Sequence, residues 1–362
     1  MQSRLHARLF LFVALILIAG LACSLTDIPP DIVDQIDVVV NEVVDEISSI
    51  YTATPPGGTG ITDPVVTDPV VIDPGTGNVP QGGGALGPAP AGMVAIPAGN
   101  FQMGCATNSL FNCADPRFSD ENPLHTVYLD GYYIDIYEVT NNQYAQCVAA
   151  GVCQEPDTRE TMYGDTVYYD ANYGDPQYGN YPVTNMSWRN ATNYCTWAGK
   201  SLPTEAQWEK AARGSSDTRM YPWGNTPADC SLLNFTPGNS DSTCEPVHNP
   251  DGYQGTRVSA VGSHPLGASP YGVMDMAGNV AEYTLDWKDT RYYSMFGPNA
   301  WPANPINSGD GLYESSTYPK VIRGAGWNSP SADVRLTIRM GSGGTDGRSY
   351  SEALGIRCAS SP

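Results

Sequence analysis

Basic residues are scarce: the 362-residue chain holds 18 Lys and Arg against 38 Asp and Glu, a formal charge of −20. A surface this acidic repels phosphate backbones, so no nucleic acid is expected as a partner. Histidine is equally sparse. The four residues are His6, His125, His248 and His264, and none stands at the H-x3-H spacing that places two imidazoles on one helix face. Isolated in this way, they are expected as surface or hydrogen-bonding residues in loops. No C-x2-C pair is present, which counts against zinc as the use of the thiols. A G-x-S-x-G elbow and a P-loop are also missing, which excludes the hydrolase and nucleotide-binding mechanisms that depend on them. Long apolar runs are confined to Leu9–Ala19, too short to cross a bilayer comfortably.

That run follows Arg4 and Arg8 and ends in Gly20-Leu21-Ala22-Cys23, the pattern of a bacterial lipoprotein signal. Residues 1–22 are therefore expected to be a signal peptide and Cys23 a lipidated anchor. The protein would then be secreted, extracytoplasmic and held on the cell envelope through the membrane. Ordinary cleavage nearby, leaving Cys23 as a free thiol, is the alternative. Setting Cys23 aside leaves eight cysteines, an even set in an exported chain, so disulfides are expected. Cys105/Cys113, Cys147/Cys153 and Cys230/Cys244 are close in sequence, and Cys195 and Cys358 remain to close a long loop.

Residues 23–50 repeat apolar positions at Ile32, Ile36, Val39, Val43, Ile47 and Ile50, the spacing of a short amphipathic helix. Their β-branched character makes that helix weak alone, and a loosely structured spacer is the other reading. Residues 51–90 repeat Thr-Asp-Pro-Val-Val from Thr62 and from Thr67, then reach Gly82-Gly83-Gly84. Proline every five residues favours an extended linker. Residues 91–362 make the domain. Helices are expected at Val139–Ala149, at Ser187–Trp197 with Ser187 as cap, and at Thr204–Arg213, where Gln207 completes a capping box and Gly214 ends the helix. The remainder reads as short strands and long Gly/Pro/Asn/Asp loops, an α+β domain that needs staples.

Within 91–362 a series of segments stands in a set order. It runs through Met93–Gly104 (MVAIPAGNFQMG), Tyr132–Tyr144 (YYIDIYEVTNNQY), Pro182–Trp188 (PVTNMSW) and Tyr194–Glu209 (YCTWAGKSLPTEAQWE). It continues with Ala211–Gly214, Tyr221–Gly224, Tyr271–Val280 (YGVMDMAGNV), Val321–Trp327 (VIRGAGW) and Gly355–Cys358. The series resembles the formylglycine-generating-enzyme (sulfatase-modifying factor) family. The resemblance implies a loop-rich, C-type-lectin-related α+β fold, and a disulfide between Cys195 and Cys358. It also implies structural calcium at two places. The first set is Asn234, the Phe235 carbonyl, Asp251 and the Tyr253 carbonyl. The second is the carbonyls of Ala277, Gly278 and Val280 with the side chains of Asn279 and Glu282, although Ala281 and Tyr283 stand where Trp is usual. Mixed carboxylate, amide and carbonyl oxygens are what calcium takes.

Copper-dependent members of that family place two Cys just after an Arg-Gly-Gly-Ser-aromatic motif, where soft thiolates hold Cu(I). Counting from Trp327, those positions are Ser329 and Val334. No copper is therefore expected, and the family's catalytic pair is replaced. The leading expectation is a non-catalytic binding or scaffold module facing cell-envelope proteins, peptides or glycans. Tyr163, Tyr168, Tyr169, Tyr173, Tyr178 and Tyr181 are its candidate surface, or else they fill the core. The alternatives are an enzyme with altered, non-copper or nonheme-iron, chemistry near Trp327, Ser329 and Arg335, and an unusual formylglycine-generating oxidase.

Overall fold

The computed structural model describes residues 86–105, 116–156, 161–163, 166–168, 173–237, 244, 258–297, 301–307, 319–341 and 353–362. All lie in the compact unit Val79–Pro362. The expected signal peptide, Cys23, the amphipathic segment and the linker up to residue 85 fall outside the described residues. The end of the expected linker packs on the domain instead of hanging free. A side chain on Gly131 would meet Leu86, and the Tyr133 hydroxyl donates to the Gly87 carbonyl at 3.1 Å.

Regular structure is sparse, as the Gly and Pro content requires. Strands β1 (Met93–Ile96), β4 (Tyr132–Asp135) and β11 (Ala359–Ser360) form one antiparallel sheet with β4 central. The first and last strands of the domain thus share one partner. A second sheet runs in the order β10 (Leu354–Gly355), β7 (Ala281–Trp287), β8 (Lys320–Arg323), β9 (Met340–Gly341). Hairpins β2 (Gly99–Met103) with β3 (His125–Leu129) and β5 (Thr161–Tyr163) with β6 (Thr166–Tyr168) complete the strands.

Three α-helices occur among the described residues: α1 (Asn141–Ala149), α2 (Trp188–Trp197) and α3 (Glu205–Arg213). Each begins where a side-chain oxygen meets an orphan N–H. Thr140 and Thr204 accept from the amides of Gln143 and Gln207, whose side chains reach back to the cap N–H, so both are capping boxes. Ser187 accepts from the Asn190 amide at 3.2 Å. Gly214 ends α3 at φ 84°, a left-handed conformation that glycine tolerates.

Helix α3 is the centre of the domain. Ala206, Trp208, Ala211 and Ala212 pack among Ile96, Phe101, Val127, Leu129 and Ile134. Its charged residues are buried as well, which pattern reading would place at the surface. They persist there because each is bonded. Arg323 donates to Glu205, Glu209 and the carbonyls of Leu336, Thr337 and Ile338. Arg339 grips both oxygens of Glu205 at 2.7 and 2.9 Å. Arg213 bonds Glu209 at 2.9 Å, and Lys210 caps the Pro97 and Gly99 carbonyls at 2.7 and 2.9 Å. Burial without a carboxylate pulls the Lys210 ammonium down to about 8.

Asp286 sits beside this network and accepts from the amides of Glu205 at 2.7 Å and Asn307 at 2.8 Å. Burial, reinforced by the Glu205 charge, pushes its carboxyl up to about 7 against the opposing pull of those amides. In the unfolded chain the group ionises near 3.8, so between that value and about 7 folding requires proton uptake. Stability contributed at low pH is lost as pH rises through this window. The thermal midpoint is therefore expected to be higher at pH 5 than at pH 8. A flat midpoint across that range, measured by calorimetry, would show that Asp286 is ionised in the native state.

Candidate functional site

The region that would carry the family's chemistry is built from three loops meeting at the end of the four-stranded sheet. The run after β8 turns at Gly324 to Trp327, and the Trp327 amide donates to the Asn279 carbonyl at 2.8 Å. The Asn279 amide in turn donates to the Asn234 carbonyl at 2.8 Å. Gly278 stands where any Cβ would lie 2.3 Å from the Asn234 carbonyl oxygen, so only glycine allows this approach.

Ser329 and Val334 occupy different environments. The Ser329 hydroxyl closes a tight turn, accepting from the Gly326 amide at 3.2 Å, while its carbonyl accepts from the Thr236 amide at 3.0 Å. Val334 is fully buried, packed with Leu233, Phe235, Ala277 and Ala325. Arg335, expected at the cleft, is buried and held in an ion pair. Its guanidinium forms a two-pronged pair with Glu121 at 2.9 and 3.0 Å, and Thr337 donates to the same carboxylate.

Gly326 replaces the serine of the Arg-Gly-Gly-Ser-aromatic motif. A Cβ there would lie 2.6 Å from the Ala353 Cβ and 2.8 Å from the Ala353 carbonyl oxygen. The Ala353 carbonyl is fixed by the Ala281 amide at 2.7 Å, at the start of β7. Space for a side chain at 326 is therefore filled by the chain's own backbone. Gly326→Ser is expected to destabilise by about 1–3 kcal/mol through overpacking. Chemical denaturation checks this, and an unchanged midpoint would mean that the Ala353 segment yields freely.

The two expected calcium sets fare differently. Of the first, Asn234 and Phe235 are adjacent and buried, whereas Asp251 and Tyr253 lie outside the described residues. Amide, carbonyl and carboxylate oxygens are a hard donor set that suits calcium. The side chains of the second set are already committed. Both oxygens of Glu282 are held by Arg357 at 2.7 to 3.0 Å, and one accepts from the Trp208 indole at 2.7 Å. The Asn279 side-chain oxygen accepts from the Ser259 amide at 2.8 Å, and its amide donates to Glu138 at 3.1 Å. With their side-chain oxygens bonded to protein donors, these two residues do not fit a cation as expected. The carbonyls of Ala277, Gly278 and Val280 are the rest of that set.

Sequence reasoning missed Glu138 here. It is buried, one carboxylate oxygen has no hydrogen-bond partner among the described residues, and burial together with the Asp275 charge raises its pKa well above the usual carboxylate value. Its position in Tyr-Glu-Val-Thr, among apolar residues, was the available signal. The expectation of hydrogen-bonding histidines holds at His125, though in a strand and not in a loop. His125 opens β3 and is buried, stacked on Trp301 at 4.0 Å with Tyr293 edge-on at 4.7 Å. Its Nδ1 faces the Pro123 carbonyl at 2.8 Å, and because a carbonyl only accepts, that nitrogen carries the proton. His264 is buried near Ser259, and His6 and His248 lie outside the described residues.

Three disulfides are defined: Cys147–Cys153, Cys195–Cys358 and Cys230–Cys244. Cys105 is disulfide-bonded as well, and Cys113 lies outside the described residues. No cysteine among the described residues is a free thiol. Tyr173, Tyr178 and Tyr181 are half-buried, with Tyr178 edge-on to Tyr181 at 5.1 Å; the side chains of Tyr163, Tyr168 and Tyr169 lie outside the described residues.

Comparison with known proteins identifies the family. The family described as "Sulfatase-modifying factor enzyme 1-like domain" matches residues 85–362, and the chain belongs to it. A formylglycine-generating enzyme of Thermomonospora curvata is 34% identical over 242 residues, covering 57% of this chain and 75% of that protein. A Bos taurus protein named "Inactive C-alpha-formylglycine-generating enzyme 2" is 29% identical, covering 74% of this chain and 87% of its own length. Among solved structures, PvdO from Pseudomonas aeruginosa aligns with a TM-score of 0.51 at 26% identity, over 74% of this chain and 93% of that one.

Proposed function

We propose that the domain is a non-catalytic binding or scaffold module of the formylglycine-generating-enzyme family, carried on the bacterial cell surface by a lipid on Cys23. The observation that carries this reading is the fate of the two thiol positions. Ser329 is tied into a turn and Val334 is sealed in an apolar cluster, while every described cysteine is locked in a disulfide. Copper(I) chemistry needs free soft thiolates, and neither a hydroxyl nor an isopropyl group replaces them. The filled space at Gly326 supports the same reading. The first calcium set would brace the loop that carries Asn234 and Phe235, with no part in a reaction.

The decisive experiment supplies the purified protein with copper, oxygen and a sulfatase-motif peptide containing Cys. The peptide is expected to return with unchanged mass. Conversion of its Cys to formylglycine would sink the reading. The alternative, an oxidase with a rebuilt metal site, draws on the relatives named as formylglycine-generating enzymes. It predicts stoichiometric copper or iron on metal analysis, where the binding-module reading predicts calcium alone.

A further inference from the structure

Residues 301–307 cross the domain without regular structure and hold to it at three points. Trp301 stacks on His125, the first residue of β3, at 4.0 Å. Asn304 sits just past the far end of β3. Its amide donates to the Tyr128 carbonyl at 2.8 Å, and its side chain exchanges two bonds of 2.7 Å with Asp130. Asn307 donates to Asp286 and exchanges bonds with the Trp287 backbone. Pro302, Ala303 and Ile306, between these anchors, are exposed.

The first anchor rests on an imidazole that fits only while neutral. His125 is 1% exposed. Its Nδ1 proton goes to the Pro123 carbonyl, and its buried Nε2 has no partner among the described residues. A second proton would sit on Nε2, where Trp301 offers an attractive π-face but no acceptor. The charges around it do not favour it either. Glu205 and Glu209 face this corner from α3, but Arg213, Arg323 and Arg339 already share them, two carboxylates for three guanidiniums. Glu121 is matched by Arg335, and burial keeps the edge-on Tyr293 hydroxyl protonated. An imidazolium would add charge to a buried cluster that is already positive in sum. Burial accordingly pulls the His125 pKa below 6.5, against the pull of Glu209 and Glu205. Of the two rings that cover His125, Tyr293 is fully buried and Trp301 only half-buried. Trp301 is the side that can give way to water.

We propose that residues 301–307 form an acid-released strap, in which a proton on His125 Nε2 drives Trp301 out of its stack and lets the imidazolium meet water. An exposed imidazole takes up its proton near 6.5, and the docked one binds it more weakly. Docking is therefore favoured above that value and lost as pH falls below it. The device depends neither on the thiol positions nor on the lipid anchor.

The test labels the whole chain with 5-fluorotryptophan and follows its seven tryptophans by fluorine NMR from about pH 8 to about pH 4.5. Trp301→Phe assigns the Trp301 signal. That signal is expected to move to the position of a solvent-exposed indole with a midpoint below 6.5, in step with the titration of a carbon-13-labelled His125 ring, while the signal of the core residue Trp208 stays. This comparison needs no variant at His125. In His125→Phe, which keeps a flat ring against Trp301 and cannot take a proton, the Trp301 signal is expected not to move. Asp286, which changes charge near about 7, is common to both proteins and drops out of the comparison. Three results overturn the proposal: a Trp301 signal unmoved by acid, the same movement in His125→Phe, or joint movement of Trp301 and Trp208, which marks unfolding of the whole domain.

Discussion

Replacing Arg323 by Met is expected to leave the domain unfolded or nearly so at room temperature. Arg323 has no solvent exposure, and it answers two carboxylates and three backbone carbonyls at once. Removing it strips Glu209 of one of its two Arg partners and leaves the Leu336–Ile338 carbonyls without this donor. Loss of one partner from a buried ion pair typically costs about 3–5 kcal/mol, and the orphaned carbonyls add to that. The sum is comparable to the whole stability of many domains, about 5–15 kcal/mol. Arg323→Lys is expected to rescue little. An ammonium is a single point of charge, whereas the guanidinium spans Glu209 and three successive carbonyls as a planar fork. Denaturant titration of both variants is the check. A folded, cooperative Arg323→Met protein within about 1 kcal/mol of the parent would mean that the buried network is dispensable for stability.

This network marks the boundary of what the sequence makes legible. Arg323 and Arg357 stand in the segments Val321–Trp327 and Gly355–Cys358 that sequence reading picks out, while Arg339 stands in none of them. What they bond is another matter, because each partner lies far along the chain: Glu121 is 214 residues from Arg335, and Glu205 is 134 from Arg339. Periodicity reads Glu205, Glu209 and Lys210 as the wet face of α3, and only tertiary structure turns that face inward. Local chemistry was easier. The caps at Ser187 and Thr204 depend on residues three positions apart and appear where the pattern puts them, whereas the cap at Thr140 falls inside the helix expected from Val139. The strands β9 to β11 have two residues each, too short for any alternation to announce them.

The candidate site divides in the same way. Substitution of the thiol positions by Ser329 and Val334 is visible by counting from Trp327. The reason that the site cannot simply be refitted is not visible, since it rests on Ala353 crowding Gly326 from 27 residues away. The same distance problem affects Glu282. As a residue after Gly-Asn-Val it offers a carboxylate to calcium; folded, it lies against Arg357, 75 residues on. A charge that must be buried is satisfied by the nearest geometry, and a guanidinium fork fits a carboxylate on both oxygens.

Opening the Cys195–Cys358 disulfide is expected to cost more than opening either of the other defined bridges. The bond joins α2 to the residue before β11 across a sequence separation of 163, whereas Cys147–Cys153 spans 6 and Cys230–Cys244 spans 14. In the chain-entropy account, a cross-link stabilises by restricting the unfolded chain, and the effect grows with the logarithm of the loop. The long bridge then contributes about 5 kcal/mol and the six-residue one about 2 kcal/mol. Geometry adds to the difference. Cys195 and Cys358 are both fully buried in the cluster of Tyr144, Met186, Ala191 and Ile356, and the Cys358 amide also donates to Asp135 at 3.1 Å. Cutting this bond therefore loosens the strand that closes the first sheet. Substituting both cysteines by Ala avoids leaving a buried thiol pair, and the midpoint of denaturation gives the loss directly. A Cys147/Cys153 double Ala variant serves as the reference. If the two variants lose the same stability, the unfolded chain is not the state on which the long bridge acts, and its contribution must come from packing in the folded domain.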